Sequence, residues 1–269
     1  MLNGDPNALT DLKKQLHQLT RDKKELLRKA GLPDDYLEPV YDCPDCHDTG
    51  YVDGRKCHCF RQAEIALLYE QSNLKRMLEK ENFDTLSYSF FQGDELTSYR
   101  QAVEKCKNFC TNFKTSYQNL FFYGTVGTGK TFLTNCIAKE CIEQGCSVLY
   151  FSAASLFDLL ARNTFDYRAR EELSALCADL YSCDLLVIDD LGTETATAVT
   201  LSHFFTCLNE RLLRQKSVII STNLSLEDCR NRYQDRIFSR IASNFEFCKL
   251  TGPDIRMCKK VSAVSGPVR

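Results

Sequence analysis

Gly124-Thr125-Val126-Gly127-Thr128-Gly129-Lys130-Thr131 satisfies every fixed position of the pattern G-x-x-x-x-G-K-[ST]. A short apolar run, residues 119–123, leads into it, and a helix-forming stretch, residues 131–144, leads out. Glycines in such a loop let the backbone wrap a phosphate with no Cβ in the way. The loop amides and the N-terminus of the following helix then attract the anion. In this arrangement Gly124, Thr125, Val126, Gly127, Thr128 and Gly129 supply the cradle. Lys130 contacts the β- and γ-phosphates of ATP, and the Thr131 hydroxyl takes Mg²⁺. A glycine-rich turn that merely precedes a helix is the alternative, and the strand and helix on either side disfavour it.

Four more short apolar runs, at 146–151, 184–189, 217–222 and 245–250, are bounded by polar residues or glycine and separated by helical stretches. Five strands alternating with helices predict an α/β domain whose parallel sheet is covered on both faces. Leu185-Leu186-Val187-Ile188 ends in Asp189-Asp190. Carboxylates at the C-terminal edge of a parallel sheet face the crevice where ligands bind. Asp189 is the expected Mg²⁺ partner, through water, and Asp190 the group that orients or deprotonates an attacking water. Two acids that simply end a strand are the alternative. Val218-Ile219-Ile220-Ser221-Thr222-Asn223 is another buried run, ending in an amide that either faces the same crevice or caps a helix.

Upstream, Cys43-Pro44-Asp45-Cys46 and Cys57-His58-Cys59 make two ligand pairs with ten residues between them. Thiolate pairs of this kind grip one tetrahedral Zn²⁺, and residues 48–54 read as a hairpin that brings the pairs together. The second pair has the less usual spacing, so His58 or His47 is an alternative ligand, and a redox pair is an alternative to zinc. A closed four-ligand site is structural and does no chemistry.

The 269 residues are 43% hydrophobic and 26% charged, with a net charge of −2 and a pI near 6.1. Those values fit a globular chain and give no support to broad electrostatic binding of nucleic acid. No run of about 18 apolar residues is present, so no membrane span is expected. The N-terminus lacks the apolar core of a signal peptide, which predicts a cytoplasmic protein. The remaining cysteines sit within helical or strand-like patterns and read as small buried hydrophobes in a reducing compartment. Leu9, Leu12, Leu16, Leu19 and Leu26 form a helical stripe, with Lys23 interrupting it and Gly31-Leu32-Pro33 ending it. That helix packs on its own domain or docks on a partner. A second helical stretch covers residues 61–80, and 81–93 loses the helical period. The expected organisation is a docking and zinc-binding module at 1–80, a linker at 81–96, an ATPase domain at 97–262 and a tail at 263–269.

Taken together, these motifs resemble the AAA+ ATPases. By that resemblance Asn223 corresponds to the sensor 1 residue near the γ-phosphate. Asp235-Arg236-Ile237-Phe238-Ser239-Arg240-Ile241 resembles the segment that carries the arginine finger, with Arg240 as first choice and Arg236 as second. Such a finger reaches a neighbouring subunit's ATP, which implies a homo-oligomer; for each arginine a surface ion pair is the alternative. Arg256 in Gly252-Pro253-Asp254-Ile255-Arg256 resembles a sensor 2 arginine. Past Asn223 only 46 residues follow, which leaves little room for a separate helical lid.

Over nearly its whole length the chain resembles the DnaC/DnaI-type helicase loaders and the related IstB transposition ATPases. The resemblance rests on the cysteine module, Asn82-Phe83-Asp84, the phosphate loop, residues 185–192, Ser221-Thr222-Asn223 and Ser239-Arg240-Ile241. The cysteines resemble the DnaI branch, since IstB-like proteins generally lack them. The resemblance implies a Mg²⁺-dependent ATPase, stimulated by oligomerisation or single-stranded DNA, that grips a replicative DNA helicase through its N-terminal module. A mobile-element ATPase acting on a transposase is the alternative, and a P-loop kinase is the reading from another class. Phe157, Arg162, Phe165, Arg168 and Arg170 lie where channel loops contact DNA, or belong to an ordinary amphipathic helix.

Overall fold

The computed structural model describes residues 8–34, 36–37, 39–57, 59–60, 63, 74–162 and 177–264. The chain divides into two compact units, Met1–Cys57 and His58–Arg269. The first begins with α1 (Ala8–Lys29). Leu12, Leu16, Leu19 and Leu26 on this helix are all more than half exposed, and Leu27 is buried. These four leucines of the expected stripe therefore do not pack on their own unit. A hairpin follows, β1 (Tyr51–Val52) paired antiparallel with β2 (Arg55–Lys56). Its turn, Asp53-Gly54, has positive φ at both residues (51° and 73°), the tight two-residue geometry that matches strand twist.

The second unit runs α2 (Leu74–Lys80), a 3₁₀ turn (Phe83–Thr85), α3 (Gly93–Asn112), β3 (Leu120–Gly124), α4 (Lys130–Glu143), β4 (Val148–Ser152), α5 (Ala153–Arg162), β5 (Leu185–Leu191), α6 (Ala198–Leu213), β6 (Ser217–Thr222), α7 (Leu226–Asn244), β7 (Glu246–Leu250) and α8 (Ile255–Val264). The five long strands form one sheet in the order β4-β5-β6-β3-β7, and every neighbouring pair is parallel.

Strand periodicity builds two cores. Leu120, Phe122, Leu185, Val187 and Ile219 face α3 and α4. Their alternating neighbours Phe121, Leu186, Ile188, Val218 and Ile220 face α5, α6 and α7. Apolar residues at consecutive positions, buried on both faces, are what an all-parallel sheet requires. All five expected strands are present, each with ends within two residues of the sequence reading.

Residues 81–96 are not a free linker. Phe91 is buried, and Phe83, Leu86, Tyr88 and Phe90 pack against the α3–α4 core. Asn82 caps the 3₁₀ turn by accepting from the Asp84 and Thr85 amides. These aromatics follow no helical or strand period, which is why pattern reading assigns them to a connection, although their burial fixes the path of the chain. Leu78 and Met77 of α2 belong to the same core, so α2 packs with the sheet in the second unit. No helix among the described residues is long and apolar enough to cross a membrane.

Candidate nucleotide site

The parallel sheet sends the C-terminal ends of β3, β5, β6 and β7 to one edge. The loop after β3 needs its glycines for two reasons. Gly124, at φ 134°, lies so close to the Leu250 carbonyl oxygen that a Cβ would overlap it, and a Cβ on Gly127, at φ 78°, would overlap the Asp254 carboxylate. The Ile255 amide donates to Gly127 O at 3.0 Å, and the Asp254 carboxylate accepts from the Arg256 amide at 2.9 Å. The start of α8 is thereby tied to the loop, and Arg256 lines the same cleft as Gly127, Lys130, Thr131, Asp190 and Asn223.

Lys130 opens α4 and is buried. Its ammonium donates to Gly124 O at 2.9 Å and Thr125 O at 2.6 Å. Burial pulls its pKa down to about 8, opposed by Asp190 and Asp189 and reinforced by Arg256. Thr128 is fully buried, with its hydroxyl on Thr125 O, and Val126 is exposed at the lip.

Asp189 is the last regularly paired residue of β5, and three hydroxyls converge on it. Thr131 Oγ1 donates to its Oδ1 at 3.2 Å, Ser221 Oγ makes a short bond to the same oxygen, and Tyr150 also donates. Burial raises its pKa, the neighbouring Asp190 charge adds to that, and the three hydroxyls partly offset both. Asp190 sits in a β-bulge between Ile188 and Leu191 and has φ 55°, a left-handed conformation uncommon outside glycine. The bulge turns consecutive acids to different tasks. Asp189 points at Thr131, whereas Asp190 turns toward Asn223, whose Nδ2 donates to it at 3.2 Å. Ser221 Oγ also takes the Asp190 amide at 2.9 Å, so one serine fixes both aspartates.

Loop, Lys130, Thr131, Asp189, Asp190, Asn223 and Arg256 are thus brought together. Arg240 is not. It lies on α7, exposed, with no side-chain partner among the described residues. Arg236 lies 5.0 Å over the Phe205 ring, which holds it to α6. Phe157 is buried in the core among α5 residues and cannot contact DNA. Phe165, Arg168, Arg170 and the Arg162 side chain fall outside the described residues.

Sequence reasoning passed over Ser221, Tyr150 and Glu81. Ser221 was legible as the inward position of a buried strand that ends in Asn223. Glu81 gives no sequence signal: it lines the cleft from the segment before α3, held by Asn135 Nδ2 at 2.6 Å.

The Sγ atoms of Cys43, Cys46, Cys57 and Cys59 form a group all within 4.8 Å of one another. The Cys43–Cys57 separation is 3.7 Å. Zinc–thiolate bonds of about 2.3 Å in a tetrahedron put sulfurs about 3.8 Å apart, so the donor set fits that ion. The Gly50 amide donates to Cys46 Sγ at 3.3 Å. His47 is outside the group; its ring packs on Tyr41 at 4.6 Å. His58 falls outside the described residues.

Comparison with known proteins follows the same site. Residues 67–260 match the family model for the IstB-like ATP binding protein. The chain is 28% identical over 192 residues to the chromosomal replication initiator protein DnaA of Aquifex aeolicus, which covers 70% of this chain and 45% of DnaA. It is 26% identical over 147 residues to the replicative helicase loader DnaC of Escherichia coli K12, covering 55% of this chain and 59% of DnaC. The chain thus spans about half the length of these relatives. A crystal structure of the DnaC helicase loader superposes with a TM-score of 0.56 at 23% identity, over 65% of this chain and 99% of the other, which is a likeness of fold. Since the family model spans most of the chain, and spans every strand and loop that forms the cleft, the protein belongs to the IstB-like ATP-binding family.

Proposed function

We propose that this chain hydrolyses ATP with Mg²⁺ and uses the cycle to act on a replicative DNA helicase. The hydrolysis reading rests on the Asp189–Thr131 pair beside a phosphate loop, with Asp190 turned separately toward Asn223. Loop amides and the α4 N-terminus hold the phosphates. Lys130 leaves the Gly124 and Thr125 carbonyls for the β- and γ-phosphates, which recovers a charge-assisted bond for a partly desolvated ammonium. Thr131 Oγ1 and, through water, Asp189 hold Mg²⁺, whose charge offsets that of the phosphates. Asp190 orients the attacking water and accepts its proton, with Asn223 fixing the carboxylate. Arg256 sits over the triphosphate from α8. Arg240, exposed and unengaged, serves a neighbouring subunit's site, so turnover requires a homo-oligomer.

The helicase as partner is supported by the four-cysteine cluster, which fits a structural zinc, and by the separate compact unit, Met1–Cys57, that precedes the sheet. The leucines exposed along α1 offer a helix-in-groove contact for that partner, and the oligomer would contact single-stranded DNA. The family match favours a second reading, in which the chain acts on a transposase. Pull-down of the tagged full-length chain against both partners separates the two. The first predicts ATP-dependent retention of the helicase; retention of the transposase alone would replace it with the second.

A further inference from the structure

Glu194 is the only acid outside the cleft whose carboxylate is wholly buried among the ion pairs of the described residues, and the hydrolysis scheme leaves it unused. It stands four residues after Asp190, and each carboxylate oxygen faces a different element. Oε2 accepts the Gly192 amide at 2.8 Å. Gly192 closes the turn whose Thr193 amide and hydroxyl both donate to Asp190 O, at 3.3 and 2.9 Å. Gly192 also has Leu224 against its Cα, where a Cβ would come within 2.7 Å of Leu224 Cδ1, and Leu224 directly follows Asn223. One prong of the carboxylate therefore holds the turn that carries Asp190, packed against the residue after Asn223.

The other prong holds α7. Oε1 accepts from the Tyr233 hydroxyl at 2.5 Å and from Arg232 Nε at 3.3 Å, and Arg232 Nη2 bonds the Glu194 carbonyl. Tyr233 is fully buried. The next residue, Gln234, has φ 65° and ψ 155°, so α7 is two helical limbs joined at a kink. Neither glycine, proline nor asparagine occupies the kink, and a glutamine in that conformation persists only where its surroundings impose it. The clamp on Arg232 and Tyr233 ends at the kink, and the limb beyond it carries Arg236 and Arg240, with Ile237 and Ile241 anchored in the core. The kink thus joins a segment bonded to the Asp190 turn to the limb that carries Arg240, and a packed element shared in this way is the kind through which sites couple.

We infer that Glu194 is a positioning residue that links the Asp190 turn of one subunit's site to the orientation of the Arg240 limb, and so to the site of the neighbour. This deepens the proposed hydrolysis and rests on Arg240 acting between subunits. Glu194 touches neither nucleotide nor reacting atoms. Its effect should therefore appear in turnover and not in nucleotide affinity.

The test uses the full chain with Glu194→Gln, which keeps size but cannot accept from all three donors, and Tyr233→Phe, which removes one bond to the same oxygen. Binding of a fluorescent ATP analogue should stay within about twofold of wild type for both, which also reports an intact fold. ATP turnover should fall about 10- to 100-fold, the scale of a misplaced catalytic group. Subunit mixing then locates the defect. In Glu194→Gln the amide oxygen still accepts from Gly192 while the amide nitrogen faces Tyr233 and Arg232, so its own Asp190 turn stays held and its Arg240 limb is freed; Lys130→Ala has a dead cleft and a sound finger. Mixing the two should restore turnover above that of either alone, as should mixing Arg240→Ala with Lys130→Ala. Rescue in the Arg240 mixture but not in the Glu194 mixture would overturn the link while leaving the finger intact. Failure of the Arg240 mixture would remove the finger and the link together. Wild-type turnover in Glu194→Gln and Tyr233→Phe would overturn the link outright.

Discussion

Lys130 shows how a binding residue is prepared by its own loop. Desolvation lowers its pKa to about 8, and bound phosphates raise it again. Between those two values nucleotide binding takes up a proton, so affinity is fullest below about pH 8 and weakens as pH rises through it, by up to about tenfold per pH unit. Titration calorimetry of ATP binding from pH 7 to 10 checks the sign, and affinity that rises over that range would contradict it. Lys130→Ala should lose most nucleotide binding, read by the same method. The aspartates show what a sequence conceals. Asp189-Asp190 was legible as a pair of acids at a strand end, and their separate roles were proposed on that basis. The bulge that separates them, with Asp190 at φ 55°, has no sequence marker, because it is set by Ser221 from the adjacent strand.

Elements differ in how much of their position local sequence carries. The five strands announce themselves through consecutive apolar residues that the sheet buries on both faces. The kink at Gln234 does not, since residues 226–244 contain neither glycine nor proline, and the bonds to the two residues before it come from Glu194, distant in sequence. The aromatic segment before α3 is hidden for the opposite reason: its apolar residues pack on the core but follow no period. Gly124 ties β3 to β7 through close backbone approach. Gly124→Ala should cost about 1–3 kcal/mol in backbone strain, plus the overlap with Leu250 O, measured as a fall in Tm. A hairpin between the cysteine pairs was readable at residues 48–54; it lies at 51–56, turning at Asp53-Gly54. Elemental analysis should find about one zinc per chain, lost in Cys43→Ser. Chelation should raise amide exchange at residues 43–57 and leave the sheet protected, since the two lie in different compact units. Protection unchanged on metal removal would argue against a structural role.

The molecule as a whole joins a nucleotide site to a unit with an uncovered apolar helix face. Leu16→Asp with Leu19→Asp should leave basal ATP turnover unchanged and abolish partner retention in the pull-down, because these side chains are exposed and outside the ATPase unit. The edge where β3, β5 and β6 end is proposed to hydrolyse ATP and not only to bind it. Steady-state phosphate release by the purified full-length chain, with ATP binding measured in parallel, tests it for wild type and Asp190→Asn. Wild type should release phosphate in a Mg²⁺-dependent manner. Binding should be unchanged but release about 10²-fold slower in Asp190→Asn, whose amide keeps the contact to Asn223 and loses the base. Binding without release in wild type, or full release in Asp190→Asn, would contradict hydrolysis at this edge.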